Sequence, residues 1–328
     1  LEKDKILKNK KINLKLSRNI VKYRSHSRIE NIKGVLEEKD IQYVCFSDDD
    51  YPESLKHIQM PPPILFYKGD ISILDHRNNI AVIGSRAPTN YGLYCVRKYA
   101  KELSDIGMDI VSGLALGIDS EAHLACMNGR FGKTVAVLGS PIDNILPSRN
   151  RKIADKILEN GGIIVSEFFL GSKVHPLNFS FRNRIISGLS DKVIVVEARE
   201  KSGSLITVEW ALEQGKDVMA VPGRVGEKLS DGCNCLIRAG AGIITGANDV
   251  LNDIQYSGSK NENEKKQKEK GLEKDLALLY SGLRLQPKNI YELMNETGFK
   301  YEELTGMLLK LQLMGLVEQP SENYYSKA

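Results

Sequence analysis

The chain has 328 residues, 41% hydrophobic and 27% charged, the composition of a folded protein with room for two or three domains; disordered and fibrous classes are excluded. No apolar run reaches the ~18–20 residues of a membrane span, and five scattered cysteines (Cys45, Cys95, Cys126, Cys233 and Cys235) fit a reducing, cytoplasmic compartment. Residues 1–40 hold twelve Lys and Arg against six Asp and Glu, in a chain of net charge +4, so the remainder sums to −2. A nucleic-acid site in that remainder has to be a focused patch, because there is no broad positive field.

In chain order, residues 1–57 read as a basic, partly helical N-terminal region. MPPPILFYKGD (60–70) follows as an extended segment, with Pro61 keeping Met60 out of helix. Across residues 58–256, short apolar runs alternate with amphipathic stretches. The runs are IAVIGS (80–85), DIVSG (109–113), TVAVLG (134–139), GIIVSE (162–167), KVIVVEA (192–198), DVMAVPG (217–223) and GIITG (242–246). Such four- to six-residue runs, rich in Val and Ile and mostly ending in Gly or Ser, predict parallel strands buried on both faces. Helical spacing between them (Leu93, Val96, Ala100 and Leu103, for example) gives a doubly wound, mostly parallel α/β sheet. Ligands on such sheets bind at the carboxyl ends of the strands.

Residues 257–271 are polar and without an apolar stripe, which predicts a flexible linker. Within 272–328, Leu276, Leu279 and Leu283, then Ile290, Leu293 and Met294, then Leu304, Leu308 and Leu311 mark three short helices. A turn–strand–turn–strand pattern follows, so a small winged helix is expected.

The strand ends carry the chemistry. Gly84, Ser85 and Arg86 form the first strand-to-helix turn. The spacing is wrong for a dinucleotide fingerprint, and a guanidinium beside helix-start amides suits a phosphate-bearing ligand. Ser112, Gly113 and Gly117 form a second turn that lets backbone approach a ligand closely. Asp119, Glu121 and His123 follow it, but Glu121 points away from the other two on a helix, so a capping Asp and a hydrogen-bonded His are expected, and no metal. Phe179 and Phe181 precede Arg182, Asn183 and Arg184 at an expected helix start; arginines hold phosphates and an aromatic face stacks on any base. Gly203 and Ser204 open a further anion-compatible helix. GRFGKT (129–134) lacks the Gly spacing of a P-loop and leads into a strand, so no ATP site is expected.

In this order, GSRAPTNYG, SGLALGIDSEAH, GKTVAVLGSPID, ISGLSDKVIVVEA, SGSLITVEWAL and VMAVPG resemble the DNA-processing protein A family (DprA, also called Smf) over roughly residues 50–254. The resemblance implies an extended Rossmann-like core that binds single-stranded DNA without a nucleotide cofactor. It also implies a homodimer that loads the RecA recombinase onto incoming DNA in natural transformation. Carried over, Arg86 and Arg182-Asn183-Arg184 line the DNA pocket. Residues 236–251 are the expected dimer and RecA contacts. The chain departs from the family's usual Phe-Pro at Phe179-Ser180.

Two other functions fit the sequence less well. A nucleoside-monophosphate phosphoribohydrolase needs a Gly-Thr ahead of Glu209, where Leu205 and Ile206 stand. A winged helix that reads duplex DNA needs several basic residues on its third helix, and YEELTGMLLKLQLMG (301–315) has only Lys310. A non-catalytic DNA-binding protein is the expectation.

Overall fold

The computed structural model describes residues 26–75, 78–251, 274–283, 288–314, 316–321 and 323–327. The linker expected at 257–271 lies outside the described residues, as do residues 1–25. The chain divides into two compact units, up to Gln255 and from Tyr256.

In the first unit, each apolar run forms a strand. They are β3 (Asn79–Ile83), β4 (Asp109–Ser112), β5 (Thr134–Val137), β6 (Ile163–Ser166), β7 (Lys192–Val195), β8 (Asp217–Ala220) and β9 (Gly242–Ile243). Two earlier strands, β1 (Gln42–Cys45) and β2 (Ile64–Lys68), extend the sheet to the order β1-β2-β6-β5-β4-β3-β7-β8-β9. Pairing from β6 to β9 is parallel throughout, whereas β1 with β2 and β2 with β6 are antiparallel. A sequence boundary at residue 57 therefore falls between two paired strands of one sheet. The segment read as merely extended supplies β2, because ILFYK buries Leu65 on one face and Phe66 on the other.

Alternation builds the core. Val135, Val137, Ile163 and Val165 join one apolar cluster, while their neighbours Ala136 and Ile164 join another. Helices α1 (His26–Glu38), α2 (Asn90–Asp105), α3 (Ile118–Met127), α4 (Arg151–Glu159), α5 (Pro176–Gly188), α6 (Gly203–Glu213) and α7 (Asp231–Arg238) accompany the sheet. Of the expected stripe of α2, Val96, Ala100 and Leu103 are fully buried and Leu93 is half-buried.

The second unit contains α8 (Lys274–Gly282), β10 (Lys288–Asn289), α9 (Ile290–Thr297), α10 (Tyr301–Leu313), β11 (Val317–Ser321) and β12 (Tyr324–Lys327). Its strands pair antiparallel in the order β10-β12-β11. The leucines at 276, 279, 283, 293, 304, 308 and 311 form its core. Among the described residues, no helix is long and apolar enough to cross a membrane.

Candidate nucleic-acid interface

From β3 the chain winds outward through β4, β5 and β6, then returns to lay β7 against the other edge of β3. The connections leaving β3 and β7 diverge there and open a crevice at the carboxyl ends of the strands. It holds a cavity of about 460 Å³. The turn after β3 (Gly84, Ser85, Arg86), the face of α5 (Phe179, Arg182, Asn183) and the start of α6 (Ser202, Gly203, Ser204) line it. A smaller, mostly apolar cavity of about 240 Å³ adjoins it, walled by Gly113, Leu116, Leu146 and Pro147. The two share Arg86, Ala115 and Phe179.

Arg86 is exposed at this junction, and among the described residues no ion pair or hydrogen bond engages its guanidinium. Its turn is fixed from below: Ser85 accepts the Ala87 N–H on its hydroxyl (3.1 Å) and the Ile118 N–H on its carbonyl (3.0 Å). Gly117, at φ +80°, lets the start of α3 pass against the backbone of Ser85 and Arg86. Phe179 is half-buried, and its ring fills the space a Cβ on Gly139 would need. Ser202 caps α6 by accepting the Ser204 N–H (3.4 Å), which leaves the Gly203–Ser204 turn facing the cavity.

The arginines of α5 differ from one another. Pro176 at the first helical position, after the His175 cap, starts α5 earlier than expected, so Arg182-Asn183-Arg184 lies in the helix interior. Residues two apart on a helix point to nearly opposite sides. Arg182 turns toward the cavity floor, 3% exposed, and donates from Nη1 to the carbonyls of Gly113 (2.8 Å) and Val137. Burial lowers its pKa to about 10, with the Asp119 carboxylate opposing, so it stays charged at neutral pH. Arg184 turns the other way. It is 1% exposed, pairs with both oxygens of Glu167 (2.6 and 2.7 Å), donates to Met60 O (3.0 Å) and lies over the Phe181 ring at 3.8 Å. Arg184 and Phe181 therefore do not line the cavity, contrary to the reading that grouped them with Phe179 and Arg182.

Two further expectations are corrected. Ser112 does not face the cavity; it is buried and donates its hydroxyl to Val82 O (2.6 Å), tying β4 to β3. The N-terminus of α2, expected to share a phosphate with Arg86, is occupied by the chain itself. Glu197, at the end of β7, accepts the Thr89 N–H (2.9 Å) and the Thr89 hydroxyl (2.5 Å), and Thr89 accepts the Gly92 N–H (3.1 Å). The open anion position is the start of α6.

Arg199 and Lys201, both exposed on the β7–α6 connection, also line the larger cavity. The sequence reading passed over them, although basic residues in a strand-to-helix turn are a usable signal. Asp119 lies in the same wall. It does not cap α3; it accepts the N–H groups of Ala115 and Gly113, and burial raises its pKa against the pull of Arg182. His123 is fully buried on Thr134 Oγ1 (2.6 Å), and Glu121 pairs with Arg97 on the outside (2.8 Å). Among the described residues no group of His, Cys, Asp and Glu has a metal-binding arrangement. Glu209, which a hydrolase would need, is exposed on α6 and does not line the cavity.

Residues 42–255 match the family model of DNA recombination-mediator protein A. The chain belongs to this family. Among curated relatives, Protein Smf of Synechocystis is 33% identical over 89% of this chain and 81% of its own length. DNA processing protein DprA of Streptococcus pneumoniae is 44% identical over 64% of this chain and 73% of its own length. The solved DNA processing protein A of S. pneumoniae superposes with a TM-score of 0.67 at 38% identity, covering 74% of this chain and 83% of that one. The Helicobacter pylori protein, described for its single-stranded-DNA binding mode, gives 0.58 at 32% identity, covering 64% and 94%. The match begins at β1, so the antiparallel extension and the Rossmann-like sheet fall within one family unit.

Proposed function

We propose that this chain binds single-stranded DNA in the crevice between β3 and β7 and delivers it to a RecA recombinase in the cytoplasm, as a homodimer and without catalysing a reaction. The observation that carries this reading is Arg86. An exposed guanidinium with no hydrogen bond or ion pair among the described residues stands where an anion-ready helix start, an aromatic face and an apolar slot meet. Phosphates fall to Arg86, Arg199, Lys201 and the Gly203–Ser204 turn, and a base enters the smaller cavity between Phe179 and Pro147. A base can enter such a slot only when it is unpaired and unstacked, which favours single strands over duplex. Arg182 and Asn183 shape the wall, while Arg184 supports α5 from behind.

The homodimer is assigned to the β9 end of the sheet, within 236–251, where Ile243 is 50% exposed on an edge strand. In the second unit, read as a winged helix, α10 exposes Leu309 and Leu313 with Lys310 as its single basic residue. That surface suits a protein partner better than a phosphate backbone.

Fluorescence-anisotropy titration of labelled oligo-dT against matched duplex tests the binding claim, and a strand-exchange assay with RecA and single-strand-binding protein tests delivery. Preference for the single strand together with faster RecA filament formation is expected. Equal affinity for both DNAs would overturn the assignment of the crevice, and tight binding without RecA stimulation would overturn delivery.

A further inference from the structure

Glu197 is 3% exposed and lies two residues past the end of β7, yet no Lys or Arg lies within ion-pair distance of it among the described residues. Its partners are the Thr89 backbone and hydroxyl, and through Thr89 the first turn of α2. The carboxylate sits so close to that turn that a Cβ on Gly92 would collide with Oε2 and Cδ. At the other end of the same loop, Gly84 packs against the Ile118 side chain and the Glu197 backbone. The Glu197 carboxylate thus anchors the Thr89 end of the 84–89 loop, and Arg86 is in its middle. A buried charge with no cation has to be offset by dipoles, and the N-terminus of a 16-residue helix provides them.

We infer that Glu197 is the positioning residue of the crevice: by filling the anion position at α2 and tying down the Thr89 end of the Arg86 loop, it directs incoming phosphate to Arg86 and the start of α6. The inference rests on the proposed single-strand site, and it explains a feature that reading leaves open. A Rossmann-like sheet ordinarily places a phosphate at the first helix after its central strand. Here that place holds a protein carboxylate, which repels phosphate and orients the arginine that receives it.

Two measurements on the full chain test this. First, Glu197→Ala is expected to weaken oligo-dT binding about tenfold, the size of a partly buried charge–dipole contact. Glu197→Gln, which keeps the shape and one acceptor, is expected to weaken it less. The loss in Glu197→Ala should vanish in an Arg86→Ala background, because both act through one group. Added formate should restore part of it by refilling the vacated position, which a general loss of packing would not allow. Second, inorganic phosphate titrated against ¹⁵N-labelled protein should shift the Thr89 and Gly92 amides in Glu197→Ala and leave them unmoved in the wild type.

Wild-type affinity in both variants, or a loss that adds fully to that of Arg86→Ala and ignores formate, would overturn the inference. Should Glu197→Ala not fold, Glu197→Gln decides it: a reproducible loss dependent on Arg86 supports the role, and unchanged binding removes it. The phosphate titration needs no DNA. A wild type that fails to bind oligo-dT would sink the proposed function, and the Thr89 and Gly92 shifts would still decide what Glu197 does.

Discussion

Two long helices start at the switch point, α2 after β3 and α6 after β7, and their N-termini have opposite fates. The start of α2 is filled by Glu197, which accepts from Thr89 across the crevice. The start of α6 is capped only by its own Ser202, and its next two residues line the cavity beside Lys201 and Arg86. Both starts carry the same partial positive charge. The neighbour decides: a buried carboxylate within reach turns one into a structural joint, and exposed cations beside the cavity turn the other into a receptor for an outside anion. The arginines repeat the lesson. Arg184 meets Glu167 and is locked in place, whereas Arg86 feels the Asp119 carboxylate only at longer range, forms no ion pair among the described residues and stays available.

The largest effect is expected where a locked group is broken. Arg184→Ala leaves Glu167 buried without its cation and should cost about 3–5 kcal/mol of stability, measured by urea denaturation. A loss under 1 kcal/mol would mean that the pair is not the joint described here. Next, Phe179→Ala removes the stacking face at the junction of the two cavities and should weaken oligo-dT binding by about 1–3 kcal/mol while leaving the fold intact. The comparison is sharpened most directly by Ser204→Asp, which gives α6 the carboxylate that α2 already has. The variant should be up to about 1 kcal/mol more stable and should bind oligo-dT at least several-fold more weakly. Unchanged affinity would show that the start of α6 does not receive phosphate.

The smallest effect concerns pH. Burial, helped by Arg182, holds His123 at about 3, below its ordinary 6.5. The unfolded chain then takes up a proton that the folded chain refuses. The stability associated with His123 is therefore complete above pH 6.5 and declines as the pH falls from there toward 3. The slope is at most about 1.4 kcal/mol per pH unit. His123→Asn should flatten the pH dependence of stability in this window; an unaltered slope would mean that His123 titrates normally.

The strands from β3 to β8 were legible because each is a short apolar run with both faces buried and a small or turn-forming residue near its end, and β9, though exposed at the sheet edge, because GIITG continues that pattern. β1 and β2 were not, because QYVC is four residues long and ILFYK follows three prolines that suggested only an extended path. Arg86, Phe179, Gly203 and Ser204 were legible as site residues from their place at strand ends and helix starts. Arg184 was misread because its partner, Glu167, belongs to another element seventeen positions earlier and only the folded sheet brings them together. The phase of α5 was in fact available: Pro176 marks the helix start, and counting from it separates Arg182 from Arg184 by about 200°. Glu197 carried a fainter signal, a lone carboxylate at the end of the apolar run Val193–Val196.

The central claim is that Arg86 is an available cation at the junction of the two cavities and that a DNA phosphate is its partner. Its most direct test is the salt dependence of oligo-dT binding for the wild type and Arg86→Ala, with folding of both confirmed by circular dichroism. The account predicts a loss of about 10- to 100-fold at moderate salt, the worth of a charged hydrogen bond. The log–log salt slope should also be shallower by about one contact. Equal affinities and parallel slopes would place the phosphate elsewhere and contradict the account.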